Sequence, residues 1–470
     1  MLLIYMSDGI SRRNFAKFTG AIGTAGLAGC LGDDDDNDDS GDGDSDTTGG
    51  QAEDGERPFR WIGPPSLTFD DQSQKFEEAL GVENEVTQGT LQGVTQQVLE
   101  GANETHDAVV NSAHVVSAAI LANPTTVPMP VEDVDGWEEG KISDIFLDPV
   151  EALSGMGEVQ AQRLAAHLYD DPETRNELLL PPQVFQLNGL GINPAEVSTD
   201  TNEWSALFDD QYAGETIFCD IPIIGGLEAM MHCADNDIVD IDLDNLNNPS
   251  QEQIDDVVDF LIEEKQAGQF RTTWEAPGES INIFASGEAV VGDIWPFAIY
   301  AIRREGVPCT NVEHGSNTLQ GEMFWYSGIA PLDPGVNDRN NYDEVVSLLE
   351  DLHWGAWFPR FIALNGGYQT PNYVDDDLLR DGSDETGDGM GPELYDWLLE
   401  GEATYESVDD PHLFDPVAYD WAMEEGSPDS DGQERGGGAF EDRLDRTRSM
   451  WIWPDEGEYY LNRWQDFRAA

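Results

Sequence analysis

Acidic side chains set the terms on which this chain can fold: 95 Asp and Glu stand against 22 Lys and Arg, a formal net charge of −73. Self-repulsion at that charge strains a compact state in dilute buffer. In molar salt the Debye length shrinks to about 3 Å and the repulsion is largely screened. The balance therefore predicts a protein of an extreme halophile, working in a cell or medium full of salt. Only four of the cations are lysines, Lys17, Lys75, Lys141 and Lys265. Disorder is the other outcome open to an acidic chain, but it requires few apolar residues. Here 39% are hydrophobic, with 13 Trp, 19 Phe and 13 Tyr, so a core can be built. Nucleic-acid binding is excluded, because so few cations cannot assemble a basic patch. At 470 residues the chain exceeds one ordinary core, and two lobes are expected.

Residues 1–30 have the pattern of an export signal. Arg12 and Arg13, followed by Asn14-Phe15-Ala16-Lys17, match the twin-arginine arrangement. The weakly apolar run from Phe18 to Ala28 is too short and too Gly-rich to span a bilayer permanently. It ends at Leu27-Ala28-Gly29-Cys30, a lipobox-like site at which Cys30 would be lipidated. Residues 31–56, dense in Asp from Asp33 to Asp46, cannot bury apolar surface and read as a disordered tether. The run lacks the spacing and terminal Glu of a calcium loop. The expected location is the outer face of the cell membrane, held by a lipid at Cys30.

Three further cysteines, Cys219, Cys233 and Cys309, make no disulfide framework, although Cys219 and Cys233 could pair. His232 adjoins Cys233, yet no Cys-x-x-Cys or His-x-x-x-His spacing supports zinc. No cofactor is expected. From Arg57 onward strand-like and helix-like patterns alternate, which predicts α/β layers. Phe59–Ile62, Ala108–Val110, Ile281–Phe284, Ala289–Val291 and Ile329–Ala330 read as strands. Helices are expected around Asp70–Leu80 and over Gln251–Lys265, the latter capped by Ser250. Acidic, Gly-rich stretches at Asp376–Gly391 and Gly426–Gly438 read as surface insertions.

An ordered set of segments then carries a resemblance. Trp204-Ser205-Ala206-Leu207-Phe208-Asp209 precedes Tyr212-Ala213-Gly214; Phe284-Ala285-Ser286-Gly287-Glu288 leads to Gly292-Asp293-Ile294-Trp295. Next come Phe324-Trp325-Tyr326-Ser327, Gly367-Tyr368-Gln369-Thr370-Pro371-Asn372 and Tyr459-Tyr460-Leu461-Asn462-Arg463-Trp464. Together they resemble extracellular solute-binding family 1, the spermidine/putrescine-binding branch of ABC importers. The resemblance runs from about Arg57 to the C-terminus. It implies a two-lobed type 2 periplasmic-binding-protein fold, with lobe 1 built from residues 57–187 and 325–470 and lobe 2 from 188–324. Two interlobe crossovers are expected, near Phe185–Asn188 and near Phe324–Trp325. It also implies a monomer without catalysis, partnered by a small organic solute and by ABC permease subunits.

Carried over position by position, the resemblance implies ligand contacts from Trp61, Ser112, His114, Asp220, Trp295, Trp325, Ser327, Tyr368 and Gln369. Aromatic faces attract organic cations by roughly 0.5–2 kcal/mol per desolvated contact, so a polyamine-like solute is the first expectation. Two departures weaken it. Ser327 stands where the family has an Asp, and Ile223 where it has a Glu, leaving Asp220 of that acidic set. Asp293 and Glu322 could compensate. The rival classes are a secreted hydrolase using paired carboxylates and an iron- or metal-binding relative on the same fold. No Gly-x-Ser-x-Gly, His-Glu-x-x-His or phosphate-cradling loop appears.

Overall fold

The computed structural model describes residues 58–470 apart from 70–71, 82, 123–124, 135, 199–200, 334–341, 344, 348, 350–356, 381–388 and 402–436. Arg12, Arg13, Cys30 and the tether 31–56 lie outside the described residues, as do 381–388 and 426–436 of the expected acidic insertions. Among the described residues no helix is long and apolar enough to cross a membrane.

The strand Ala108–Ser112, which opens with the apolar run Ala108–Val110, is buried throughout, as a strand covered on both faces must be. This strand, β3, pairs in parallel with β1 (Phe59–Gly63), and β1 pairs in parallel with β2 (Asn84–Gln88), whose polar residues suit a sheet edge. The crossovers are α1 (Gln72–Leu80) and α2 (Leu91–Glu100). Helix α3 (Ala113–Ala122) follows β3 without a loop, and α4 (Glu158–Leu168) leads toward β4 (Pro182–Asn188), again wholly buried.

A second sheet begins one residue later. It contains β5 (Leu190–Ile192), β6 (Thr216–Cys219), β7 (Phe270–Trp274), β8 (Val291–Asp293) and β9 (Thr310–Asn311), in the order β9-β5-β8-β6-β7. Its helices are α5 (Gly225–Asp235), α6 (Gln251–Ala267), α7 (Pro277–Ala285) and α8 (Pro296–Arg304). The chain then returns to the first sheet as β10 (Glu322–Pro331), antiparallel to β3 and β4 and parallel to β11 (Thr447–Met450). All ten residues of β10 are buried. Chain passages between the sheets fall at Gly189 and between Asn311 and Glu322.

A buried ion pair sits where these passages meet. Arg443, fully buried, donates from Nε to Glu322 Oε1 at 3.0 Å and from Nη2 to Glu322 Oε2 at 3.1 Å. The same Nη2 donates to the Leu187 carbonyl at 2.6 Å. Burial opposes ionisation of Glu322, but the guanidinium outweighs it and holds the carboxyl below its ordinary range.

Two expectations are corrected. Ile281–Phe284 is not a strand but part of α7. Pro277 opens that helix, and the Glu279 carboxylate accepts from the Glu275 and Ala276 N–H groups at 3.0 and 3.2 Å. The Ile281/Ile283 alternation imitated a strand, whereas Ser280 and Phe284, four apart, form the buried face. The second correction concerns the end of the chain. After α9 (Trp357–Gly366) and β11, helix α10 (Gly457–Ala469) packs on α6 of the second lobe and not on the first. Trp464 stacks at 6.4 Å on Phe218 of β6, and Arg463 reaches Asp255 on α6 at 2.7 Å. The 251–265 helix, by contrast, forms as expected, with the Ser250–Gln253 capping box and Gly268 in a left-handed conformation ending it at φ 83°. Cys219, Cys233 and Cys309 are buried and free.

Candidate functional site

Strand ends place the aromatic side chains. Trp295 stands two residues past the end of β8, so the second sheet delivers it to the inner edge of its lobe; Trp274 ends β7 beside it, ring centroids 5.5 Å apart. From the first sheet β10 carries Trp325, and Trp451 follows β11. These two indoles stack at 5.4 Å with an 11° interplanar angle. Trp451 also meets Trp295 at 5.2 Å, joining the sheets. Tyr368, in the loop after α9, stands edge-on to Trp325 at 5.2 Å. Phe297 on α8 closes the circuit, 6.3 Å from Tyr368 and 6.0 Å from Trp295. Trp295, Trp325, Tyr368, Phe297 and Trp451 thus form one closed ring of aromatic contacts from both lobes. Edge-to-face and offset contacts of this kind are favoured by ring quadrupoles.

Polar groups flank the ring. Ser327, two residues after Trp325, donates from Oγ to Ser112 Oγ at 3.2 Å across the β10–β3 pair. His114, in the first turn of α3, meets the Trp451 ring edge-on at 5.2 Å. Gln369 is fully buried; its backbone pairs with Phe185 in both directions, while both its amide side-chain atoms lack a partner. Trp295 donates its indole N–H to Asp293 Oδ2 at 3.1 Å, and Asn188 donates to Oδ1 at 2.9 Å. Asp293 adjoins Glu228 of α5, and both carboxyls are fully buried. Burial raises Asp293 to about 7 and Glu228 well above its ordinary value, because each charged carboxylate would be desolvated beside the other.

Two expected contacts do not join this site. Trp61 is fully buried between β1 and α1, with its ring 5.2 Å from Phe76 and its N–H on Asn84 Oδ1 at 3.2 Å. Asp220 turns the other way, accepting from Trp464 Nε1 at 2.6 Å and Arg468 Nε at 2.9 Å. Among the described residues no group of three His, Cys, Asp or Glu stands close enough to hold a metal ion.

Beside the Trp325–Trp451 stack lies a narrow depression of about 20 Å³, partly open to solvent. His114, His167, Tyr326 and Met450 line it with the two indoles. Sequence reading missed Trp451, Phe297 and His167. Trp451 had a visible signal, the aromatic run Met450-Trp451-Ile452-Trp453-Pro454 after a buried strand; His167, on the ordinary-looking helix α4, had none.

Two lobes on mixed sheets, exchanged chain passages and a shared inner wall match the two-lobed fold of type 2 periplasmic binding proteins. No family model and no curated protein matches the chain. Among solved structures it is similar to the spermidine/putrescine ABC transporter substrate-binding protein PotD of Streptococcus pneumoniae. That likeness has a TM-score of 0.54 at 13% identity and covers 88% of this chain and 99% of that one. A chain from Listeria monocytogenes described as a spermidine/putrescine ABC transporter gives a TM-score of 0.53 at 12% identity, covering 87% and 98%. At such identities the likeness is one of fold.

Proposed function

We propose that the protein is the solute-binding component of an ABC importer, capturing a small organic molecule between its lobes and handing it to the permease subunits. The observation that carries this reading is the aromatic circuit itself. Trp295 and Phe297 come from one lobe and Trp325 and Trp451 from the other, so hinge motion would open and close the wall as a unit. Rings stack against ligand faces with little loss of rotamer freedom. The division into lobes belongs to this proposal, with the boundaries expected at 187/188 and 324/325 moved to Gly189 and to the stretch between Asn311 and Glu322, and residues 457–469 reassigned to the second lobe. So do the monomeric state, the lipid anchor at Cys30, twin-arginine export through Arg12 and Arg13, and life in concentrated salt.

A polyamine, first expected from the resemblance, finds ring faces here but few charge partners. Of the carboxylates singled out in the sequence, Asp220 is engaged by Arg468 and Glu322 by Arg443, while burial raises Asp293 to about 7. A buried ammonium needs an ionised partner. The reading is tested by a thermal-shift screen of organic solutes in molar KCl. A captured solute raises Tm by mass action and is recovered chemically unchanged, and Trp451→Ala abolishes the shift. Conversion of the solute to product would make the protein a hydrolase instead.

A further inference from the structure

In a chain carrying 95 acidic residues, the depression beside Trp325 and Trp451 has no Asp or Glu on its wall. Four buried polar atoms of its lining residues lack partners: Trp325 Nε1, Trp451 Nε1, His114 Nδ1 and His167 Nδ1. Each such orphan costs about 1–3 kcal/mol when left unpaired. An indole N–H can only donate, and an imidazole nitrogen donates once it carries hydrogen. The two indole N–H groups select a ligand that accepts, and each imidazole can join them from the nitrogen that carries its hydrogen. An ammonium accepts nothing. The depression also opens at the first turn of α3, ten residues long, whose leading N–H groups and dipole favour negative charge.

We propose that this depression receives the carboxylate of a small organic acid, held by the Trp325 and Trp451 indole N–H groups and by His114 and His167, with one proton taken from solvent as the acid binds. The inference rests on the solute-binding reading and names the class of solute. Burial, with His167 next, pushes His114 down to about 3; burial, with Arg163 next, pushes His167 down to about 4. Both imidazoles are therefore neutral in the empty site. The charged groups around them are Arg163, one turn before His167 on α4, and its partner Asp455 at 2.6 Å. Facing from β10, the Tyr326 hydroxyl donates to the His167 carbonyl at 3.3 Å. A carboxylate placed here supplies the missing negative charge, so an imidazole nitrogen gains a proton and no other bond changes. The apolar body of the acid then lies against the aromatic circuit.

The test uses the full chain in molar KCl with three probes of one skeleton: phenylacetate, 2-phenylethylamine and 2-phenylethanol. Thermal shift ranks them, and titration calorimetry in buffers of different ionisation enthalpy counts protons. We expect phenylacetate to raise Tm more than the other two, with net proton uptake at about pH 7, where both imidazoles of the empty site are neutral. Trp325→Phe, which keeps the ring and removes the N–H, weakens phenylacetate about tenfold. His114→Gln combined with His167→Gln keeps a hydrogen-bonding side chain and abolishes the proton uptake. A larger shift from the amine, or acid binding without proton uptake, overturns the inference while leaving the solute-binding reading intact. No shift from any probe, nor from spermidine or a wider solute panel, overturns both.

Discussion

Glu322 and Arg443 carry full charges with no exposure, at the point where β10 leaves the interlobe passage. Removing one partner of such a pair leaves an uncompensated buried charge, which costs about 3–5 kcal/mol. Arg443→Met and Glu322→Gln should each lower unfolding stability in molar KCl by that order, and Arg443→Met/Glu322→Leu by less than their sum. Additive losses would show that the two side chains act separately. The Glu228–Asp293 pair behaves oppositely. Its folded pKa values lie above those of the unfolded chain, so the folded state binds more protons between about pH 4 and pH 7. The stability it contributes is present below that window and lost as pH rises through about 7. Glu228→Gln should thus be more stable than wild type at alkaline pH and flatten the decline; an unchanged pH slope would refute the raised carboxyl pKa. At this scale Trp295, Trp325 and Tyr368 were legible because short motifs frame them. Asp220 was not, because its partner Arg468 lies 248 positions away and no local pattern announces it.

Elements with strong end signals could be read directly. The Ser250 cap, the Gln253 that answers it and Gly268 at the end fix α6 within two residues. Helix α7 failed because Ile281 and Ile283 sit two apart, and over four residues a period of two imitates a strand. The destination of α10 was illegible for a different reason. Its amphipathic face would suit either lobe, and only the surface it meets decides. That surface is α6 and β6, where Trp464 is fully buried against Phe218. Close approach of α5 to α10 at Gly226, where a Cβ would collide with the Tyr460 hydroxyl, allows the fit. Trp464→Ala should cost about 3–5 kcal/mol and free the C-terminal helix to proteases before the rest of the chain. Cleavage at the helix no faster than in wild type would show that α10 docks without its tryptophan.

On the scale of the molecule, the charge that opened the sequence reading acts on the solute as well as on the fold. A net charge of −73 surrounds the crevice with a field that repels anions and draws in cations over distances set by the ionic atmosphere. Raising salt from about 0.1 M to about 1 M shortens that reach from about 10 Å to about 3 Å. Stability should rise over the same range as self-repulsion is screened. Encounter rates should separate by the sign of the ligand: association of phenylacetate should speed up with added KCl, while association of 2-phenylethylamine should slow. Once inside, the acid is held by donors that salt scarcely screens, because those nitrogen atoms are buried. Stopped-flow tryptophan fluorescence reads both rates through the indoles that form the wall. Opposite salt slopes for the two probes would tie the acidic surface and the carboxylate-free depression into one design, in which concentrated salt allows an anion to reach a site that dilute buffer would defend. Parallel slopes would mean that the long-range field does not extend to the crevice, and the surface charge would then concern folding alone.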